Sequence, residues 1–545
     1  MKRFALVLLA LLPWLASCTS TDSPEFPDAA PQARSGGVLR VGIPTAGSVD
    51  PGNVYEPSGD LVVRTMCTPL LAADPKSSEL QPAIVDSWLV TDGGAGLTLR
   101  IREGVRFSDG TPLTAEDVAF TLTRIASAEF ASTSADRLSA IAGYPEIHGD
   151  VATDDENARR RLAGVELRDE RTLQISLRTP NAEFIRVLTS ALTAPVSQAA
   201  AEADPSGFVR SPVCVGPYRL EAPYAPGDTA LTMVRSSAYE PTDMSMTGGG
   251  VGYAESIEFR FYPDIAAAAA ARVAGEVDIA PASPEDTQGV QSGPGPAVEY
   301  IGLPTTSAGY DSPAVRRALS LAIDREALVR ALFPNTREPA TGFLPRTSPF
   351  VQECPSAPSR GDVAGARALL AEVGADPAQL RPTFYFNDEL GHRALVEEVT
   401  RQWRDGLGIE AAPAPLPFAD YLARGEGRPG FDGPFRFSWS TPFPDADGYL
   451  SPLFTTDRIG RDNFTRFSDP AFDEALLREA RRSQDPEDRA IAYRRVADLL
   501  CDAMPMIPVT TAVSRWSVSD RIGSARGAYL DGATGQPLLR ELYLR

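Results

Sequence analysis

The chain has 545 residues, 43% of them hydrophobic and 23% charged, a globular composition on a length that exceeds one simple core. Its 52 basic residues against 72 acidic ones leave a net charge of −20. Such a surface repels phosphate backbones and excludes a nucleic-acid partner.

The first residues read as an export signal. Lys2 and Arg3 precede an apolar run from Phe4 to Leu12, and Leu15-Ala16-Ser17-Cys18 follows. The run is too short to span a bilayer, so residues 1–17 are expected to be a signal peptide. The small residues before Cys18 resemble the lipobox of bacterial lipoproteins, in which cleavage exposes the cysteine and its thiol takes a diacylglycerol. Cys18 is therefore the expected lipidation site, and several acyl chains on one residue give stable anchoring to the cell membrane. Residues 18–35, rich in Ser, Pro, Asp and Ala, read as a lipid-anchored flexible linker. No later stretch is long and apolar enough to cross a bilayer, so the body is expected outside the cytoplasm.

Order is expected to begin near Gly36-Gly37 with a strand from Val38 to Ile43. Thr114 stands three residues before Asp117, a capping arrangement, and Val118, Leu122 and Ile125 then share one helix face. Leu173, Ile175 and Leu177 alternate with polar residues, as do Ile257, Phe259 and Phe261, the period of half-buried strands. Between them the run from Met244 to Gly250 reads as a surface loop. Ser312-Pro313, Asp469-Pro470 and Asp485-Pro486 each place a capping residue before a first-turn proline, predicting three helix starts. Arg360-Gly361-Asp362 spells an adhesion tripeptide, but the helical spacing of Val363, Ala366, Leu369, Leu370 and Val373 makes it the start of a helix.

Besides Cys18, the cysteines are Cys67, Cys214, Cys354 and Cys501. Four cysteines in an exported chain predict two disulfides, with three connectivities open at this point. His148 and His392 are the only histidines, too few for mixed cysteine and histidine zinc ligation. No metal site and no cofactor are expected.

The stretch from Trp88 to Ile125, WLVTDGGAGLTLRIREGVRFSDGTPLTAEDVAFTLTRI, resembles the peptide/nickel class (family 5) of extracellular solute-binding proteins serving ATP-binding-cassette importers. Further segments follow in that family's order. Gly216-Pro217-Tyr218 is similar to its "GPY" strand and Gly275-Glu276-Val277-Asp278 to its "GevD". Ala314 to Glu326, AVRRALSLAIDRE, is similar to "xVRqAlxxAiDRe", and Pro505-Met506-Ile507-Pro508 to a late "xPxiPl". The resemblance runs from about Gly36 to Val518. Cys214-Val215 and Ser236-Ser237 depart from it, standing where the family has a glycine and an asparagine.

The resemblance implies an α/β, two-lobed periplasmic-binding-protein-like fold with an extra subdomain in lobe I and lobes joined by crossing strands. Residues 36–290 would form lobe I, with the inserted subdomain at about 73–179. Residues 291–509 would form lobe II, and 510–545 would return to lobe I. A solute, a peptide or another small polar molecule, would be captured between the lobes by hinge closure and delivered to a membrane permease by a monomeric protein. A bridge across the cleft would oppose closure, so the lobes imply the pairs Cys67–Cys214 and Cys354–Cys501. In the segment from Arg436 to Tyr449, Trp439 falls on a family cleft tryptophan and Asp445 on a later aspartate. Tyr55, in the loop after the first strand, and Phe443 complete the candidate ligand contacts. Peptide-binding relatives place an aspartate three residues after that tryptophan; here the position holds Pro442, which implies that free di- and oligopeptides are not preferred and that the solute is an uncharged polar one, such as a saccharide or a blocked peptide.

Two other readings compete. For a secreted hydrolase neither Gly-x-Ser-x-Gly nor His-Glu-x-x-His occurs, and acid pairs such as Asp445 and Asp447, which could act on glycosides, are expected by chance in a chain this rich in Asp and Glu. An importer-independent sensor or surface binding protein would share the same fold.

Overall fold

The computed structural model describes residues 35–545, apart from 55, 75, 76, 78, 240–250, 389–390 and 442–445. The expected signal peptide, Cys18, nearly all of the linker, Tyr55, the loop from Met244 to Gly250, Pro442, Phe443 and Asp445 lie outside the described residues.

The opening strand is Val38–Pro44, and it pairs in parallel with Ser256–Tyr262 over its whole length. Leu39, Val41, Ile43, Ile257 and Phe259 turn inward onto Leu61, Val62 and Met66 of the helix Pro57–Met66. Ile522, Leu539 and Leu542 close the same core, so the C-terminal residues pack against the opening strand. This is the core of lobe I.

A second core belongs to an inserted four-stranded antiparallel sheet, ordered Val85–Thr91, Gly96–Ile101, Thr172–Ser176, Val165–Asp169. The helix Ala115–Ala126 lays Val118, Leu122 and Ile125 onto it. Its start is fixed by the Asp117 carboxylate, which accepts from the Thr114 N–H at 3.0 Å and the Thr114 hydroxyl at 2.8 Å. Such a cap contributes about 1 kcal/mol, and each buried Leu about 1.5–3 kcal/mol. The inserted core reaches beyond the expected 73–179. Leu70 and Leu71 enter it at one end, and Phe184, Ile185 and Leu188 of the 3-10 turn Phe184–Thr189 at the other. An irregular turn has no period to read, so its burial was not foreseen.

A third core, in lobe II, is rich in aromatic side chains. Phe384 stacks on Trp403 at 5.6 Å, and Phe431 on Phe435 at 4.5 Å. The helices Pro313–Leu321, Val363–Glu372, His392–Leu407 and Pro486–Ala503 cover it. Asp362 caps the second of these through the Gly365 N–H, confirming the helix start; Val373 ends up exposed because it lies beyond the helix, whose last residue is Glu372.

One sheet runs through both lobes. Its order is Ala412–Leu416, Thr383–Asn387, Phe435–Trp439, Val290–Gly302, Met506–Val518, Ile279–Pro281, Val38–Pro44, Ser256–Tyr262, Ala230–Arg235 and Tyr218–Leu220. The two 13-residue strands at its centre, Val290–Gly302 and Met506–Val518, cross from one lobe to the other. The expected boundaries at 290 and 509 therefore fall within these strands. Their antiparallel ladder is broken twice, at 295–297 and again where Glu299 pairs with Thr510 and Tyr300 with Pro508, which leaves Val509 as an extra residue. Pro294 pairs with Val513 and Val298 with Thr511, so residues 295–297 bulge opposite Ala512. The run Gly293-Pro294-Gly295-Pro296 explains the first break, because proline gives no ladder N–H. A Cβ on Gly295 would stand 2.9 Å from Ala512 Cβ and 3.1 Å from its carbonyl oxygen, so only glycine fits this approach.

The disulfides join Cys67 to Cys214 and Cys354 to Cys501, with Cα separations of 5.4 and 5.5 Å. The first pair lies in the lobe I core and the second in the lobe II core, so neither crosses between lobes.

Candidate functional site

From lobe I, the loop after Val38–Pro44 is pinned by one buried ion pair. Asp50, 1% exposed, caps the turn Pro51–Asn53 through the Gly52 N–H and takes both Nη atoms of Arg124, at 2.9 and 2.5 Å. The Arg124 guanidinium in turn lies 3.8 Å above the Phe130 ring. A Cβ on Gly52 would come within 2.8 Å of that ring, so the loop packs this closely only with glycine. The Ser132 hydroxyl donates to the Gly52 carbonyl at 2.6 Å, and the Ser134 hydroxyl to that of Val54 at 3.3 Å. The inserted subdomain thus holds the loop that carries Tyr55.

From lobe II, the strand Phe435–Trp439 pairs with Val290–Gly302, and Trp439 faces Val298 directly after the bulge. Alternation places Phe435, Phe437 and Trp439 on the same face, toward the aromatic core. Trp439 is half-buried, its ring nearly parallel to Phe437 at 6.1 Å, and its Nε1 donates to the Gly448 carbonyl at 2.8 Å. Its donor is thus engaged within lobe II, and the ring closes the end of an aromatic column. Of the four candidate ligand residues it alone is described; Tyr55, Phe443 and Asp445 are proposed contacts from sequence.

On the opposite sheet face lies a charge cluster that the sequence reading did not assign. Glu299, 1% exposed, accepts from Arg436 Nε and from Arg337 Nη1, the latter at 2.8 Å. Arg337 also reaches Thr510 Oγ1 at 3.1 Å, and Arg436 Nη1 stands 3.5 Å from Asn387 Oδ1. His392, opening its helix, places Nδ1 3.0 Å from the Asn387 carbonyl oxygen. Burial pushes the Glu299 carboxyl up, but the guanidiniums of Arg436 and Arg337 outweigh it and hold the group below its ordinary value. Burial, with Arg436 beside it, pushes the His392 imidazole below its ordinary value, so it is neutral at pH 7. Two cations against one carboxylate leave the cluster with an excess positive charge beside the bulge. A signal existed in sequence: Arg436 stands between Phe435 and Phe437, and Glu299 between Val298 and Tyr300, charges on otherwise apolar strands.

Among the described residues no group of three or more His, Cys, Asp or Glu side chains could hold a metal ion, and no helix is long and apolar enough to cross a membrane.

Two lobes on crossing strands match known proteins. The profile "Bacterial extracellular solute-binding proteins, family 5 Middle" covers residues 79–461. The chain is 27% identical over 476 residues to the glutathione-binding protein GsiB of Escherichia coli (strain K12), spanning 85% of this chain and 86% of that protein. Among solved structures it is similar to the clavulanic acid biosynthesis oligopeptide binding protein 2, with TM-score 0.80, 24% identity, and 94% and 96% of the two chains covered. It is also similar to the periplasmic murein tripeptide binding protein MppA in its unliganded open form, with TM-score 0.78, 21% identity, and 94% and 99% covered. The chain belongs to the bacterial extracellular solute-binding proteins of family 5, a family of binding proteins rather than enzymes.

Proposed function

We propose that this chain captures a short peptide-class solute between its lobes by hinge closure and delivers it to the permease of an ATP-binding-cassette importer. The observation that supports the reading is that two separately cored lobes are joined by crossing strands whose ladder is interrupted at 295–297, a suitable place for a hinge. A ligand bridging both lobes favours closure by its differential affinity for the closed state. The names of the similar proteins, which bind glutathione, oligopeptides and a murein tripeptide, support the peptide class.

Within that class the chain's own residues select further. The excess positive charge of Arg436 and Arg337 suits a carboxylate on the solute. Pro442 supplies no counter-ion for an ammonium. The preferred solute therefore carries a free carboxylate and an amine that is blocked or held elsewhere. The protein works as a monomer outside the cytoplasm, tethered through lipidated Cys18, with Tyr55, Trp439, Phe443 and Asp445 at the cleft.

Calorimetric titration with short peptides, free or acetylated at the N-terminus and free or amidated at the C-terminus, tests this. Binding is expected to survive acetylation, to be lost on amidation, and to weaken about tenfold or more in Arg436→Gln. Binding that is lost on acetylation and indifferent to amidation refutes the selection.

A further inference from the structure

The crossing strands are not the only connection between lobes. The segment Asn181–Glu183 leads into Phe184 and Ile185 of the inserted core, whereas Asp447, Arg481 and Arg489 flank Leu450, Ala480 and Ala492 of the lobe II core. These two groups meet. The Ala182 N–H donates to the Arg481 carbonyl at 2.6 Å, and Asn181 Nδ2 lies 3.4 Å from Asp447 Oδ2. Glu183 holds Arg186 of its own segment at 2.7 Å and Arg489 of the other lobe at 2.9 Å. Asp447 receives Arg481 Nε and Nη2 at 2.8 and 2.9 Å, which fixes the backbone that Ala182 grips. Glu183 is 3% exposed and Asp447 7%, so both carboxylates are enclosed by the contact.

The position of this contact decides what it does. Asp447 opens the helix Asp447–Phe454, and two residues on, the Tyr449 hydroxyl donates to the Pro296 carbonyl inside the hinge bulge. The contact therefore lies beside the pivot. Points close to a pivot move little as lobes rotate, so a contact there survives opening, whereas one at the far rim must break.

We propose that Glu183 and Arg489, with Asn181 and Asp447 around them, form a noncovalent third joint between the lobes that persists in the open and closed states. It confines lobe motion to one axis and narrows the unliganded ensemble. Less freedom is then lost on capture, which makes these side chains positioning residues for solute binding. The direction of the joint comes from the Ala182 N–H to Arg481 carbonyl bond, whereas Arg489 Nε faces Glu183 as an ion pair without an aligned hydrogen bond, so that pair acts by charge.

The test uses the full chain without ligand. Spin labels at exposed Leu167→Cys, on the inserted sheet, and Phe418→Cys, on lobe II, report the inter-lobe distance distribution. Glu183→Gln and Arg489→Gln are each expected to shift the ratio of joined to unjoined molecules about tenfold and to broaden the distribution. The double variant should broaden it no further, since each single change already removes the pair. Arg401→Gln, which removes pairs to Glu398 and Asp405 that both lie within one helix of lobe II, should leave the distribution unchanged. A Tm shift with an unaltered distribution, or equal broadening by Arg401→Gln, overturns the proposal. If Glu183→Gln does not fold, Arg489→Gln decides alone, because the Arg489 side chain, 13% exposed, is less enclosed than that of Glu183 at 3%. The readout needs no solute, so it stands or falls separately from ligand identity.

Discussion

Replacing Arg325 by methionine tests whether one buried guanidinium ties the lobe II core together. Arg325 opens the helix Arg325–Leu332 with no solvent exposure. Its Nε donates to the Pro508 carbonyl at 2.7 Å, and Nη1 to those of Pro358 at 3.0 Å and Ser320 and Ile323 at 3.2 Å. Nη2 donates to Ser320 Oγ at 2.9 Å. These acceptors lie on a helix end, a loop and a crossing strand, so one side chain joins three pieces of chain. Ser320 O keeps a bond from the Ile323 N–H, which leaves four acceptors to lose a donor in Arg325→Met. Each buried acceptor left unmade costs about 1–3 kcal/mol, and relief from burying a charge offsets part of the sum. The net loss is about 3–5 kcal/mol, within the range for breaking a buried charged contact. Urea unfolding followed by tryptophan fluorescence measures it, because Trp403 is buried in the same core and donates to the Leu319 carbonyl at 2.9 Å. The midpoint should fall with an unchanged slope. Arg325→Lys should recover less than half of the loss, because a point cation cannot span the same acceptors. A loss under about 1 kcal/mol in Arg325→Met would refute the reasoning.

Three further outcomes follow from the chemistry of particular groups. Cys18→Ser should release the protein from membranes or block its processing; normal processing with retained membrane association contradicts the anchor. Non-reducing peptide maps should yield only Cys67–Cys214 and Cys354–Cys501, and removing either bridge, each spanning 147 residues, should cost about 2–5 kcal/mol by denaturant titration. Glu299 has its folded pKa held below its ordinary value of 4.5, so its contribution is complete above that value and is lost as pH falls through the depressed one. Glu299→Gln should therefore flatten the acid limb of a Tm-against-pH curve below pH 4.5, and an unaltered limb would contradict the ion cluster.

What could be read in the sequence was local. Asp485-Pro486 carries its capping chemistry within one turn, and its helix begins there; the helix at Ser312-Pro313 also begins where expected, although the Ser312 side chain makes no capping bond. The alternation of Leu173 and Ile175 is likewise a property of five consecutive residues, and both are buried. The crossing strand Val290–Gly302 was hidden because the run Gly293-Pro294-Gly295-Pro296 argues against a central strand, and the bulge that accommodates it exists only opposite Ala512. Trp439 was legible as a position but not as a role: whether its indole N–H is available depends on Gly448, a residue of the helix Asp447–Phe454. Glu299 and Arg436 were legible as lone charges on apolar strands but not as a cluster, since Arg436 is 137 residues from Glu299 and Arg337 is 38.

Native mass spectrometry of the exported full chain, after incubation with a low-molecular-weight cell extract, tests the central claim most directly. The account predicts a monomer that carries one small peptide-class solute, lost on denaturation and recoverable for sequencing. A chain that takes up no solute from any extract, while both disulfides and the folded cores are intact, would contradict it.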